Sequence, residues 1–214
     1  MHVVVITEGT AEYKSLPRIY PQLHRNCGRN RIVRTLLINV SPDAPPAAIA
    51  RRCIPGVKIA AKLGATLIVV LLDRERQRAC CGRIARTIQE EVYKTASVPD
   101  EVAVEVVLKD RKFENWLIAD LDALRAQPAR FLVTNAIEQL VAPDKADKCD
   151  AESLIKRALR KSFSYDKTDD GFRVCIRMDV MKAAANSRSF RHLLHVLGCR
   201  PYAQSCARPV VENA

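Results

Sequence analysis

The run over residues 65–72, broken only by Thr66, is apolar at consecutive positions and stops at Asp73-Arg74-Glu75. A strand that is apolar on both faces belongs in a parallel sheet covered by helices on either side. Strands are also read at residues 2–6, 31–40 and 102–108, and each is followed by a segment with helical periodicity. Strands alternating with helices require right-handed crossovers, so an α/β fold with a mostly parallel central sheet is expected. The helices fall at 11–26, with Pro17 bending or dividing the span, at 47–63, bent or interrupted near Pro55 and Gly56, at 76–95 and at 113–120.

Beyond residue 120 the strand pattern ends and helices are expected near 134–141, 151–162, 173–185 and 189–197. A chain of 214 residues suits one main domain. We therefore expect an α/β core over 1–120, a helical extension over 121–209 packed on it, and a flexible tail over 210–214. No apolar run approaches the roughly 20 residues that cross a bilayer, and the chain reads straight into its first strand without a signal-peptide pattern. No membrane partner and a cytoplasmic location are expected. Without export, the eight cysteines are read as free thiols rather than a disulfide framework. His192, His195 and Cys199 share a helical face with Cys206 shortly beyond, a spacing that fits an amphipathic packing face better than a zinc site.

The net charge of +11 points to an anionic partner, nucleic acid first and DNA ahead of RNA. Residues 1–62 hold ten bases against three acids, and a second basic cluster begins at Arg74, Arg76 and Arg78. Carboxylates placed where an apolar run stops lie at the carboxyl edge of the sheet, where open α/β sheets bind their ligands. Glu8 stands there after the first strand, and Asp73 and Glu75 after the third. If those strands pair and extended geometry continues for one step past Asp73, three carboxylates meet at one point. Magnesium suits such a site, with manganese as its substitute, because it takes oxygen ligands and keeps waters and phosphate oxygens for the rest. Such an ion can orient a phosphodiester and align hydroxide. Glu12 is placed to accept a proton from metal-bound water, to hold a second ion, or to satisfy the first turn of a helix. Glu114 follows the fourth strand as an accessory acid of the pocket or as the surface ion-pair partner of Arg111 or Lys112, while Phe113 and Trp116 anchor their helix. Lys109, Arg111, Lys112 and Lys167 are candidate phosphate contacts, and Tyr165 is a packing residue or a stacking platform.

In the order TEGTAE (with Glu8), LLDRE (with Asp73 and Glu75), KFENWLIAD (112–120), YDKTDDG (165–171) and SFRHLL (189–194), the chain resembles a family of small stand-alone Toprim-like proteins associated with phage defence. That family is related to the Toprim domains of topoisomerases, primases and OLD-family nucleases. The resemblance implies a catalytic or metal-linked Glu8 and metal ligands at Asp73 and Glu75. The usual pattern has aspartate at the position of Glu75, whose extra methylene moves the oxygen outward. It implies a magnesium-dependent nuclease or phosphodiesterase, in a defence complex, with a separately encoded ATPase as partner. The chain has no G-x-x-x-x-G-K-[ST] phosphate loop of its own. The other reading is a non-catalytic, nucleic-acid-binding or regulatory subunit of that ATPase. Nucleotidyl transfer ranks below hydrolysis, and self-association into a homo-oligomer is compatible with either.

Overall fold

A computed structural model describes residues 1–206 apart from 29 and 76. The tail expected at 210–214 lies outside the described residues. Four strands, β1 (His2–Thr7), β2 (Arg31–Leu37), β3 (Leu67–Asp73) and β4 (Ala103–Lys109), form one parallel sheet in the order β2-β1-β3-β4. The chain is α/β, with the first and third strands paired as the site geometry demands. Thr7, the last residue of β1, stands opposite Leu71, two positions short of the end of β3, whereas Asp73 and Lys109 end β3 and β4 side by side at the carboxyl edge.

The helices of this half are α1 (Thr10–Ser15), α2 (Tyr20–Asn26), α3 (Pro46–Lys62), α4 (Cys81–Ala96) and α5 (Phe113–Ala119). Strand side chains alternate between two apolar layers. Val4, Ile6, Ile68, Val70 and Leu72 pack against α3 and α4, while Val3, Val5, Leu67, Val69 and Leu71 face α1, α2 and α5. Pro17 divides the first helical span, with a 3-10 turn over Leu16–Arg18 separating α1 from α2. Pro55 instead lies inside an unbroken α3, where neighbouring Gly56 faces Ile6 and Ile38 so closely that a Cβ would stand 3.1 and 3.3 Å from them. The helix runs on because its contact with the sheet outweighs one missing backbone donor. The expected start of α4 at residue 76 is displaced to Cys81, since Glu75 takes a left-handed backbone (φ 50°) that ends regular structure after β3.

The remaining helices are α6 (Leu121–Arg125), α7 (Asn135–Val141), α8 (Ala151–Ala158), α9 (Lys167–Arg177), α10 (Val180–Asn186) and α11 (Arg188–Val196). The single helix expected over 173–185 is two, because Asp179 caps a new start by accepting from the amides of Met181 and Lys182. Among the described residues this half adds no strand, only an isolated antiparallel bridge between Phe131 and Leu159. Trp116, fully buried on α5, donates to Ser189 Oγ at 2.8 Å and meets the edge of Phe190 at 4.9 Å. The extension therefore continues the apolar layer that holds Val3 and Leu71. No described helix is long and apolar enough to cross a membrane.

Candidate active site

The carboxyl edge of β1, β3 and β4 gathers charged side chains that would be unstable alone in a core. Asp73 is the last residue of β3 and Lys109 the last of β4, side by side in register. Past β1 the chain turns at Gly9 into α1, which brings Glu12 back over the same edge. Gly9 leaves room for the Glu12 carboxylate: a Cβ there would overlap Glu12 Oε2. Lys109 is 0% exposed, with Nζ 2.7 Å from Glu12 Oε1, 2.9 Å from Asp73 Oδ1 and 3.9 Å from Glu8 Oε1. Glu8 Oε1 also accepts the backbone N–H of Asp73, a bond that ties the ends of β1 and β3 together.

The extension closes the group from outside. Lys167, at the start of α9 and 40% exposed, has Nζ 3.3 Å from Glu114 Oε2 and 3.9 Å from Asp73 Oδ2. Tyr165 donates its hydroxyl to Glu114 Oε1 at 3.1 Å. Four carboxylates (Glu8, Glu12, Asp73, Glu114) thus meet two ammonium groups (Lys109, Lys167), an excess of two negative charges when all are ionised. The electrostatics follow. Burial, reinforced by Asp73, pushes Glu8 up to about 8, so it holds a proton at neutral pH. Burial also raises Asp73, whereas for Glu12 the contact with Lys109 overcomes burial and lowers it. Burial alone would lower Lys109, but Asp73, Glu12 and Glu8 together hold it above its ordinary value.

Several expectations need correction against this geometry. Lys109 is not a phosphate contact, because its ammonium is enclosed and spent on three carboxylates. Glu75 does not join Glu8 and Asp73: regular extension stops at Asp73, and the left-handed Glu75 turns towards Lys112, 3.9 Å away. Its place beside the two strand-end acids is taken by Glu12. Glu114 does join the group, through Tyr165 and Lys167 rather than through Arg111 or Lys112. Arg74 spends its guanidinium on Asp110 at 2.6 Å. Arg78, Arg111 and Lys112 lie along a neighbouring cavity, and Arg76 lies outside the described residues. The bases of residues 1–62 that the structure describes are exposed. His195 bonds the Tyr202 carbonyl at 2.7 Å and Cys199 is buried, so these two members of the C-terminal His/Cys pattern serve packing, while His192 and Cys206 line a separate cavity. Tyr165 and the central place of Lys109 were the missed features. Lys109 carried a usable signal, since it ends an apolar strand just as Asp73 does.

The fit of a divalent cation can be tested on the donors themselves. Among the described residues, no three His, Cys, Asp or Glu side chains stand ready-made around one ion position. The carboxylates converge on an ammonium instead. Yet the donors are all oxygen, Glu8 Oε2 and Glu12 Oε2 are buried without a hydrogen-bond partner, and once a cation displaced the proton of Glu8 the two excess charges would equal those of one such ion. The set fits a hard divalent cation on those counts.

Residues 7–198 match the model of the family described as a domain of unknown function, DUF4276, and the chain belongs to that family. No curated protein and no solved structure matched it.

Proposed function

Starting from membership of a family whose model names no activity, we propose that the acid-lined sheet edge hydrolyses phosphodiester bonds of nucleic acid with a divalent cation, magnesium or manganese. The observation that carries this reading is the excess of carboxylate over ammonium at one strand edge, with two buried carboxylate oxygens unpartnered, on a chain of net charge +11. When bound, the cation would neutralise charge developing on the phosphate and lower the pKa of water. Glu8, Glu12 and Asp73 are the residues that would hold it. The other steps belong to the chain. Lys109 keeps Glu12 and Asp73 together against their mutual repulsion. Glu8 fixes the backbone of Asp73. Lys167 stands at the exposed side of the group, where its ammonium can meet a substrate phosphate. The exposed bases hold the strand through its phosphates without reading its bases. The same strand-end acids support a Toprim-like reading, in which a defence complex, a partner ATPase and self-association have their place.

Lys109 favours a second reading. An ammonium already seated among the acids balances much of their charge, which suits a non-catalytic nucleic-acid-binding or regulatory subunit. Labelled single- and double-stranded DNA and RNA, incubated with wild type, Glu8→Gln and Asp73→Asn protein in magnesium, manganese or chelator, decide between the two. Metal-dependent cleavage by wild type, lost in both folded variants, is expected. Cleavage retained by both variants, or absent in wild type that binds nucleic acid, would overturn the catalytic reading.

A further inference from the structure

Beside the acid group, on the same edge, lies a cavity of about 430 Å³, within the range that holds small organic ligands. It is formed where the loops leaving β3 and β4 run together. Arg74 N–H donates to the Lys109 carbonyl at 3.0 Å and Glu75 N–H to the Arg111 carbonyl at 2.9 Å, beyond the last strand pair. The two residues joined by the second bond, Glu75 and Arg111, both hold left-handed backbone, at φ 50° and 74°. Side chains other than glycine, asparagine and aspartate rarely accept that conformation. Glycine at either position would form the turn with less strain, yet both residues line the cavity with long charged side chains.

The charges in this cavity are mixed. Arg78, Arg111 and Lys112 face Glu75, Asp150 and Glu152. Lys112 is shared between Glu152 at 3.4 Å and Glu75 at 3.9 Å, and Arg111 makes only a long bond to the Cys149 carbonyl at 3.5 Å. Arg78 is exposed and its side chain makes no ion pair or hydrogen bond among the described residues. Two guanidinium groups are thus free to take an anion, but a bare anion would also confront three carboxylates. A ligand that joins an anionic group to hydroxyl or amino donors answers both halves of the lining.

We propose that this cavity seats one nucleotide unit of the substrate strand, with its phosphate on Arg78 and Arg111 and its sugar hydroxyls or base amino group on Glu75 and its neighbours. The cavity's Glu75 and Arg111 stand two positions beyond Asp73 and Lys109 of the acid group. The seated unit would therefore flank the phosphate presented to that group, and to this extent the inference rests on the hydrolase reading. Calorimetric titration of the full chain in chelator, with adenosine 5′-monophosphate, adenosine and inorganic phosphate, tests it without turnover. The monophosphate is expected to bind about tenfold more tightly than either fragment, and Arg78→Gln/Arg111→Gln to lose about tenfold or more at an unchanged melting temperature. Arg111→Gly, which relieves the backbone, should also lose binding while keeping the fold, and it decides the matter if the double variant folds poorly. No binding by wild type, equal binding of monophosphate and inorganic phosphate, or undiminished binding by the folded variants would overturn the proposal. Wild type that cleaves nucleic acid but fails this titration leaves the hydrolase reading intact. The reverse result leaves the nucleotide cavity and removes the hydrolase.

Discussion

Replacing Lys109 with methionine keeps the unbranched stem of the side chain and removes the one cation at the centre of the buried acid group. Three carboxylate oxygens lie 2.7, 2.9 and 3.9 Å from its Nζ. At an effective dielectric of about 20 each such pair is worth roughly 4–6 kcal/mol, set against a desolvation cost of several kcal/mol per ion. The cost of breaking a buried pair from one side, about 3–5 kcal/mol, is therefore the expected loss of stability in chelator at pH 8.5. Protons should repair part of it. Without the ammonium, burial raises the native pKa of Glu12 and Asp73 above their unfolded values. Stability gained by holding protons is fully present below the unfolded pKa and disappears as pH rises through the raised native one, so the deficit shrinks towards pH 5. A divalent cation should repair part of it too, by about 2.7 kcal/mol at a hundredfold excess over its Kd. Urea denaturation followed by circular dichroism, at pH 5, 7 and 8.5 with chelator or magnesium, measures all three effects. A loss below about 1 kcal/mol at pH 8.5, or one indifferent to both pH and magnesium, would refute this account of the charge balance.

The metal-free wild type should show a smaller version of the same dependence. Glu8 is raised from 4.5 to about 8, so its contribution is complete at acid pH and lost as pH rises through about 8. Glu8→Gln, neutral throughout, should flatten the fall in melting temperature between pH 6 and 9, and equal slopes in variant and wild type would count against a buried, protonated Glu8. Gly9→Ala should displace Glu12, since the added Cβ overlaps its Oε2 while the backbone at φ −102° accepts alanine readily. Overpacking of this kind costs about 1–3 kcal/mol, and a crystal structure of the variant with Glu12 still on Lys109 would contradict the expectation. Arg78→Gln should weaken binding to unrelated nucleic acids alike and reduce the salt slope by about one, and an unchanged slope would remove Arg78 from the phosphate surface.

The repeated strand-helix order was legible because burial on both faces of a parallel strand leaves unmistakable apolar runs, and β3 is buried from Leu67 to Asp73. The same rule placed Glu8 and Asp73 at the carboxyl edge, and the pairing of β1 with β3 brings them into contact. Glu75 was misplaced because one residue in a left-handed turn redirects a side chain, and alternation along the sequence carries no record of that dihedral. Lys109 was misread for a different reason. Basic residues on a chain of charge +11 are naturally assigned to an anionic ligand, but a lysine that ends the buried stretch 106–109 of β4 beside a carboxylate has no route to solvent. Its position at a strand end constrains it more than its charge type does.

The contrast between Lys109 and Lys167 shows why that distinction bears on function. Both ammonium groups lie within 4 Å of Asp73, yet one is 0% and the other 40% exposed. Two enclosed cations would leave an incoming phosphate no ammonium to bind. Two exposed cations would leave Glu12 and Asp73 buried without compensation, at a cost of several kcal/mol. With one of each, Lys109 makes the acid group affordable inside the fold, while Lys167, supplied by α9, remains where a phosphate can reach it. The helical extension is thus part of the site as well as of the core. An α/β half expressed alone would keep Lys109 and its acids but lose Lys167, Tyr165 and the packing of Trp116 on Phe190.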